Sequence, residues 1–400
     1  MDSLSQIVLG AAVSEAALGK KVGNRAIVWG AIAGTIPDLD VISNKILPKI
    51  DALAFHRGPT HGIGFSVVFA LVMGVCVHYL YRYKHHKYVG LISWLVLIWG
   101  VVFALMTILK LSFIGVGISL LIAIGLSYFV YKRYHRASYT TPHASIAAWS
   151  FMFFLALFTH PILDTFTTYG TRLFWPFTNI RYTLSSVSIV DPLYTVPFLV
   201  CLIIVILSRK GSYGRKFWNT TGLYLSSFYL LFTVFNKTRI NTIFENSLSK
   251  NELTYTKYMT SPTIFNNILW FGIAETDSTF VFGQYSFLDK EKEFKLHSIP
   301  KTSPTLSKTY QDDKTFKTLM WFSDGYALMK PEEDSDNFEY KDLRFGTFRM
   351  NNNNEDEFVF RFLLKPVGDH HLEMLEEGGR PKGGNIKEAL GVLIKRIQGI

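Results

Sequence analysis

The sequence predicts an α-helical integral membrane domain followed by a soluble α+β domain rich in antiparallel strands. Long stretches such as Val89 to Leu109 and Leu111 to Tyr131 contain no Asp, Glu, Lys or Arg, and each is long enough to cross about 30 Å of hydrocarbon. After Asn236 charged residues become frequent and alternating apolar patterns appear, which is typical of half-buried strands. We therefore predict a membrane domain at residues 1–236 and a soluble domain at residues 237–400.

The membrane domain is expected to contain about six full spans after a short N-terminal helical hairpin. The hairpin comprises two apolar stretches that are short for full spans and are expected to lie tilted or partly inserted. These stretches are Ser3 to Leu18 and Ala26 to Ile36. The full spans are predicted at Gly62 to Tyr81, Tyr88 to Leu109, Leu111 to Tyr131, Ser145 to Leu163, Leu193 to Ser208 and Phe217 to Phe235. No basic residue precedes the first stretch and Glu15 lies within it, so no cleaved signal peptide is expected.

The net charge of +10 is unevenly distributed and indicates a membrane orientation. Residues 1–236 hold 19 Lys and Arg against 7 Asp and Glu, whereas residues 237–400 hold 22 against 24. Basic clusters recur between the apolar segments, at Lys20 to Arg25, Arg82 to Lys87, Lys132 to Arg136 and Arg209 to Lys216. If the segments alternate in direction, all four clusters face the cytoplasm under the positive-inside rule. The acidic and histidine motifs and the C-terminal domain are then predicted on the non-cytoplasmic side of the membrane.

The soluble domain carries three clear strand patterns, in "FVFGQYSFL", "FEYKDLRFGTF" and "EFVFRFLLK". An amphipathic helix is predicted at Asn385 to Ile397, and the "NNNNED" run from Asn351 is predicted to be a hairpin loop. The charge of this domain is close to neutral, so no nucleic-acid partner is expected. The only two cysteines, Cys76 and Cys201, lie in apolar segments, which excludes a disulfide framework and a cysteine-based zinc site.

Two short motifs place carboxylates and imidazoles where the chain meets the membrane. "PDLD" supplies Asp38 and Asp40, and carboxylates near hydrocarbon require either open water or a cation. "HRGPTHG" supplies His56 and His61 on either side of a Gly-Pro turn, so the two imidazoles can converge on one ion. The alternatives are solvated carboxylates in a turn and histidines that form structural hydrogen bonds.

A third motif, "THPILD", supplies His160 and Asp164 four residues apart. On a helix these side chains share a face and can bind one metal, and Pro161 is expected to bend or end the helix. The alternative is a histidine bonded to its own aspartate at a helix end. Asp2 either faces the same cavity or caps the first helix, with Gln6 one turn later. Asp191, directly before Pro192, is predicted to be an N-cap.

Together these histidines and aspartates form a ligand set suited to one or two divalent metal ions, with zinc the first candidate. The predicted metal ligands are Asp2, Asp38, Asp40, His56, His61, His160 and Asp164. Nitrogen and carboxylate ligands with open positions are typical of metal-assisted hydrolysis. Arg57 lies between the two histidines and could bind an anionic substrate, as could Arg172 and Arg181, or all three could contact lipid head groups.

These motifs resemble a known family. The opening "MDSLSQIVLG", "PDLD", "HRGPTH" and "HPILDTFTTYGT" resemble the bacterial membrane-bound, metal-dependent hydrolases, also described as inner-membrane-associated LexA-binding hydrolases. The resemblance extends over roughly residues 1 to 235, and Ser261 to Glu275 resembles the soluble tail of some members. It implies that Asp38, Asp40, His56, His61, His160 and Asp164 form the metal site, with Asp2 close by. Many members have His where this chain has Gln6, which puts that ligand in doubt.

The leading hypothesis is therefore a membrane metallohydrolase that acts on an ester or phosphoester. Asp38 or Asp164 would accept a proton, and Arg57 would hold an anionic substrate. Because the site would open at the bilayer surface, membrane lipids or lipid-linked phosphoesters are the expected substrates. Two alternatives remain open: an ion or solute transporter that uses the same His and Asp residues, and a regulatory membrane protein that binds an unknown protein partner through residues 237–400.

Overall fold

A computed structural model of the protein describes residues 1–109, 112–135, 141–332, 335–348, 357–378 and 386–400. Within these ranges the chain is helical up to Lys250 and is then dominated by two antiparallel sheets. The predicted order of a helical membrane part followed by a part rich in antiparallel strands is confirmed.

The helical part follows the apolar segments of the sequence. Its elements are α1 (Ser3–Ser14), continued by a π-helical turn (Glu15–Gly19) and α2 (Lys20–Val22), α3 (Asn24–Thr35), a 3-10 helix (Pro37–Lys45), α4 (Lys49–Phe55), a 3-10 turn (Pro59–His61), α5 (Ile63–Arg82), α6 (His86–Leu109), α7 (Phe113–His135), α8 (Ile146–Thr165), α9 (Pro192–Leu207) and α10 (Tyr213–Lys250). Asp191 caps α9 through bonds from the backbone N–H groups of Leu193 and Tyr194, as predicted.

Among the described residues, four helices are long and apolar enough to cross a membrane. They are Ile63–Arg82, His86–Thr107, Ile114–His135 and Ile146–Thr165. A fifth span results if α3 and the following 3-10 helix, which meet at a bend of 44°, count as one. Helix α9 is apolar but has only 16 residues, and α10 buries polar residues such as Asn219 and Asn236. Four or five candidate spans are therefore supported, and the predicted six full spans are not confirmed.

Helices α1 and α3 pack closely against each other through glycines. A Cβ atom on Gly10 would lie 2.5 Å from the carbonyl oxygen of Gly30, and one on Gly34 would lie 2.5 Å from that of Gln6. Such close contacts leave no room for side chains, and small residues are what allow helix backbones to approach this closely in membranes. The paired helices place the carbonyl group of Gly34 against α8, where it accepts a hydrogen bond from His160.

Helix α10 joins the helical part to the sheets without a break. It runs for 38 residues, from Tyr213 to Lys250, and its last turns pack against the first sheet through Ile240, Phe244 and Leu248. At 1.5 Å per residue it is longer than the hydrocarbon layer is thick. The predicted domain boundary at residues 236 and 237 falls inside this helix and stays a prediction.

The C-terminal part contains two four-stranded sheets whose strands follow the order of the sequence. The first comprises β1 (Lys257–Pro262), β2 (Leu269–Glu275), β3 (Thr279–Ser286) and β4 (Lys295–Pro300), and the second β5 (Ala327–Pro331), β6 (Phe338–Phe348), β7 (Glu357–Val367) and β8 (His371–Gly378). Helices α11 (Pro304–Thr309) and α12 (Lys314–Phe322) connect the sheets, and α13 (Ile386–Ile397) follows the second sheet. The three strand patterns correspond to β3, β6 and β7, and α13 is the predicted amphipathic helix. The predicted loop at Asn351 lies outside the described residues.

The second sheet packs directly on the helical part. Ile50 and Leu53 of α4 are buried in one apolar cluster with Leu319 of α12 and with Phe362 and Leu364 of β7. Because α4 lies between the "PDLD" and "HRGPTHG" motifs, this contact brings the C-terminal part to the same end of the helices as those motifs.

Candidate metal centre

Four side chains from three separate motifs converge at the end of α8. Asp38, His61, His160 and Asp164 each offer one ligand atom, and these atoms all lie within 4.8 Å of one another. The Nε2 atoms of His61 and His160 are 3.2 Å apart. Oδ1 of Asp38 lies 3.5 Å from Nε2 of His61 and 3.4 Å from Nε2 of His160. Oδ2 of Asp164 lies 3.4 Å and 3.7 Å from the same two nitrogens.

Each of the four residues is positioned by its local backbone. Asp38 follows Pro37 in the first turn of the 3-10 helix, where proline is well tolerated. His61 ends the 3-10 turn that begins at Pro59. His160 and Asp164 lie one turn apart on α8, which continues past Pro161 to Thr165. The histidine and the aspartate therefore face the same way, as their spacing predicts.

Hydrogen bonds behind the two imidazoles aim both Nε2 atoms at the shared centre. Nδ1 of His160 lies 2.7 Å from the carbonyl oxygen of Gly34, which can only accept a hydrogen bond. Nδ1 of His61 lies 3.1 Å from Oγ1 of Thr60 and 3.4 Å from Oδ2 of Asp40. Bonds of this kind fix the tautomer of a metal-binding histidine and leave its other nitrogen free to coordinate.

The spacing of the four ligand atoms fits one tetrahedrally coordinated ion. Bonds of about 2.0 to 2.1 Å from zinc to nitrogen or oxygen imply distances of about 3.3 to 3.4 Å between neighbouring ligand atoms. The five distances between imidazole nitrogens and their neighbours in the centre lie between 3.2 and 3.7 Å. Oδ2 of Asp164 is buried and has no hydrogen-bond partner among the described residues. A buried carboxylate oxygen without a hydrogen bond, facing two imidazoles, is a position that a cation would satisfy.

Asp40 and His56 lie behind the centre and outside the group of four. Asp40 accepts hydrogen bonds from the backbone N–H of Arg57 at 2.9 Å and from the hydroxyl of Thr60 at 3.0 Å. Its other carboxylate oxygen lies 2.7 Å from Nδ1 of His56. The structure therefore gives both residues a supporting position around His61, although the sequence predicted them as ligands.

Asp2 also lies outside the group, and it has the second of the two roles considered for it, that of a helix cap. Its side chain accepts from the backbone N–H and the hydroxyl of Ser5, so it caps α1. Gln6 contacts the centre instead, because its side-chain amide donates to Oδ1 of Asp164 at 3.0 Å and to the carbonyl of His160 at 3.2 Å. The α-amino group of Met1 donates to Oδ1 of Asp164 as well. Asp164 is thus held in place through one oxygen while the other faces the centre.

Of the three predicted arginines, only Arg57 borders the centre. Its Nη1 lies 3.7 Å from Oδ2 of Asp164 and donates to Oγ1 of Thr167, and its buried Nε has no partner among the described residues. Arg172 instead donates to the carbonyl of Ala54, and Arg181 donates to two carbonyls at the end of α12. These two arginines attach the α8–α9 connection to α4 and to the C-terminal part.

Carboxylates dominate the electrostatics around His61. Burial alone would lower the pKa of its imidazole, but hydrogen bonds and charges from Asp164, Asp38 and Asp40 outweigh burial and raise the pKa to about 10. The three carboxylates therefore make the centre favourable for a positive charge.

Three supporting groups were not identified from the sequence. Thr60 lies inside the "HRGPTHG" motif, and its position next to His61 was a usable signal. Gly34 supports His160 through a backbone carbonyl, which a sequence cannot reveal because every residue has one. Tyr169, whose ring lies under the guanidinium of Arg57 at 5.1 Å, is contributed by a connection whose course depends on the whole fold.

The profile of one protein family, described as the YdjM inner membrane protein family, matches residues 1–111 and 112–240. The match includes all four residues of the centre and ends before the first sheet. Comparison with curated proteins gave no match, and neither did comparison with solved structures.

Proposed function

The chain belongs to the YdjM inner membrane protein family, and we propose that it is a membrane-bound, metal-dependent hydrolase of esters or phosphoesters. The observation that supports this most strongly is the convergence of two imidazole Nε2 atoms and two carboxylate oxygens at one end of a helical membrane part. Nitrogen and oxygen ligands at this spacing suit zinc better than calcium or magnesium, which prefer oxygen alone.

The four side chains would take different roles around a bound ion. A divalent metal at such a site lowers the pKa of water and polarises an ester or phosphoryl oxygen. All four would hold the ion, and zinc can take water as a further ligand. His61, His160 and Asp164 have fully buried side chains, whereas the side chain of Asp38 is 20% exposed. Asp38 is therefore the carboxylate that water and substrate reach first, and we assign it the role of proton acceptor.

Arg57 and the position of the centre support an anionic substrate from the membrane. The guanidinium of Arg57 lies beside Asp164, and its buried Nε–H group has no hydrogen-bond partner among the described residues, so it can donate to a phosphate or carboxylate oxygen. The centre lies where α3, α5 and α8 meet the polar connections. A lipid or a lipid-linked phosphoester can present its head group at such a place, so we propose this class of substrate.

The proposed role of Asp38 can be tested with the full-length protein in detergent. Asp38→Asn is expected to lower turnover of p-nitrophenyl phosphate, bis(p-nitrophenyl) phosphate or phosphatidylglycerol vesicles by about 100-fold or more, because an amide cannot accept the proton. Metal content is measured in the same samples. Asp51→Asn, at a carboxylate that pairs with Lys314 away from the centre, should retain full turnover. Absence of turnover on every substrate class, or full turnover by Asp38→Asn, would contradict the proposal.

Metal binding is expected to strengthen as the pH rises. Below its pKa of about 10 His61 holds a proton in the metal-free protein, and only the neutral imidazole binds a metal, so binding must release that proton. The apparent zinc affinity should therefore increase by roughly tenfold per pH unit between about pH 6 and pH 8. Competition with a chelator of known proton affinity measures this slope. An affinity that does not change with pH would exclude proton displacement at this centre.

We further propose that the centre and the C-terminal part face the non-cytoplasmic side. The first turns of α1 lie beside the centre, because Gln6 donates to Asp164. At the other end of this helix, Glu15 in the π-helical turn forms an ion pair with Arg215. Lys210 contacts the carbonyl of Lys21 at the same far end, so two of the basic clusters meet there, where the positive-inside rule expects cytoplasm.

Alkaline phosphatase fused after Ile400 should be active, and a fluorescent protein fused there should be dark after Sec export. The reverse result would overturn this orientation.

A further inference from the structure

A second cavity lies between the helical part and the C-terminal part, separate from the metal centre. Its volume is about 680 Å³, and its walls come from the α8–α9 connection, α10, α12 and both sheets. We call it the cationic cavity, because Arg181, Lys237 and Arg344 line it together with a single acidic residue, Asp324. Its volume lies within the range of about 300 to 1,000 Å³ that is typical of small-molecule sites.

Lys237 brings a positive charge into this cavity without a carboxylate to balance it. Its ammonium group donates to the carbonyl and, at 2.8 Å, to the hydroxyl of Thr260. No acidic residue of the described ranges forms an ion pair with it. Burial lowers the pKa of Lys237 to about 7. Burying a charged lysine without a counter-charge lowers the free energy of unfolding, and a bound anion would offset this cost.

Arg181 brings a second positive charge into the cavity from the α8–α9 connection. Its guanidinium donates to the backbone carbonyls of Trp321 and Phe322 and stacks over the ring of Trp321, with its Cζ 4.8 Å from the ring centre. Carbonyls and rings orient a guanidinium but do not neutralise it. No carboxylate forms an ion pair with Arg181 in the described part of the chain, whereas Arg344 is paired with Asp342 at 2.6 Å. Arg181 and Lys237 are therefore the cationic residues of the lining that form no ion pair in the described ranges, although Asp342 and Asp324 act on Arg181 from a longer distance.

We propose that the cationic cavity binds an anionic ligand that carries a phosphate group. An arginine fork and a lysine ammonium around one cavity are a common combination for phosphate recognition. The volume is larger than a phosphate alone needs and leaves room for the group that bears the phosphate. Two sources share this chemistry, a lipid head group and a soluble phosphate compound. Lys237 lies two residues after the apolar stretch of α10 that ends at Phe235, so a head group can reach the cavity from the membrane.

The proposal for the cationic cavity does not rest on the proposed hydrolase activity, although a series of side-chain contacts connects the cavity to the metal centre. Tyr169 lines the cavity, and the guanidinium of Arg57 lies over its ring at 5.1 Å. Arg57 in turn lies 3.7 Å from Asp164 of the metal centre. None of the four ligand residues lines the cavity, so its phosphate affinity and the metal affinity can be measured independently.

Binding is tested on the full-length protein in a neutral detergent at about pH 6, where Lys237 is charged. One series is titrated with inorganic phosphate and a second with short-chain phosphatidylglycerol. Lys237→Met and Arg181→Gln are each expected to weaken binding by at least about tenfold, because each removes a charge-assisted hydrogen bond. Binding in the first series alone identifies a soluble ligand, and tighter binding in the second identifies a lipid head group.

Two control variants make the result decisive. Lys330→Met removes an exposed lysine on β5 and should leave both affinities unchanged. In samples stripped of metal by a chelator, so that no ion at the metal centre binds the probes, His61→Ala should also leave both affinities within about twofold, since the sites are separate. The proposal is overturned if neither probe binds, if Lys237→Met and Arg181→Gln bind as tightly as the unmodified protein, or if only His61→Ala loses binding. Lys237→Met removes a buried charge but keeps an apolar stem of similar length, so it tests the proposal even if Arg181→Gln unfolds.

Discussion

Replacing both His61 and His160 with alanine is expected to remove the metal ion from the purified protein. The two imidazoles supply both nitrogen ligands, and their Nε2 atoms lie only 3.2 Å apart. The remaining carboxylates of Asp38 and Asp164 would repel each other and bind zinc weakly. Metal content measured by inductively coupled plasma mass spectrometry should fall from about one ion per chain to less than about 0.1. Hydrolytic activity should be lost with it.

His78→Ala is the matched control for this experiment. His78 also lies on a membrane helix, and its Nδ1 bonds a backbone carbonyl, that of Ala144, as His160 bonds that of Gly34. It has no carboxylate near it among the residues that the structure describes, so it should retain both metal and activity. Equal metal content in the double variant and in the unmodified protein would show that the ion, if present, binds elsewhere.

Glu15→Ala is expected to cause the largest loss of stability. Glu15 and Arg215 are both buried and form two hydrogen bonds of 2.6 Å, which join the π-helical turn after α1 to the start of α10. Removing one partner leaves the other charge buried and unpaired, which costs about 3 to 5 kcal/mol. Chemical denaturation in detergent, followed by tryptophan fluorescence, measures the change in the free energy of unfolding.

Two further variants separate the buried pair from an ordinary surface pair. Glu293→Ala breaks a contact with Lys250, whose side chain is 70% exposed, and should destabilise the protein far less than Glu15→Ala. The combined change Glu15→Leu with Arg215→Met should recover most of the lost stability, because no charge then remains buried. If Glu15→Ala and Glu293→Ala have the same small effect, the buried pair is not a stabilising link between these helices.

The sequence predicted the residue types of the centre well, but not which member of each pair faces inward. "PDLD" offers Asp38 and Asp40, and its backbone forms a 3-10 helix, in which residues two apart point about 120° away from each other. Asp38 therefore faces the two Nε2 atoms, while Asp40 faces Nδ1 of His61 and the ring of His56. The choice depends on helix type and on contacts with α8, neither of which the motif encodes.

The helical segments were predictable because apolar length is a local property, whereas the number of spans was not. Residues 217–235 were predicted to be a full span. They belong to a 38-residue helix that buries Asn219 and Asn236 and extends to the first sheet. Where a helix leaves the membrane depends on its neighbours and its tilt as well as on its own composition. The contact between α4 and the second sheet was also unpredictable, since Ile50 and Leu53 are distant in sequence from the strands they meet.

The central claim is that Asp38, His61, His160 and Asp164 bind one divalent metal ion. X-ray absorption spectroscopy of the protein, purified without chelators and supplied with one equivalent of zinc, tests it most directly. The claim predicts tight binding of about one ion per chain, with nitrogen and oxygen ligands at about 2.0 to 2.1 Å and a clear imidazole signal. A spectrum with only water-like oxygen ligands, or a protein that retains no zinc after dialysis, would contradict it.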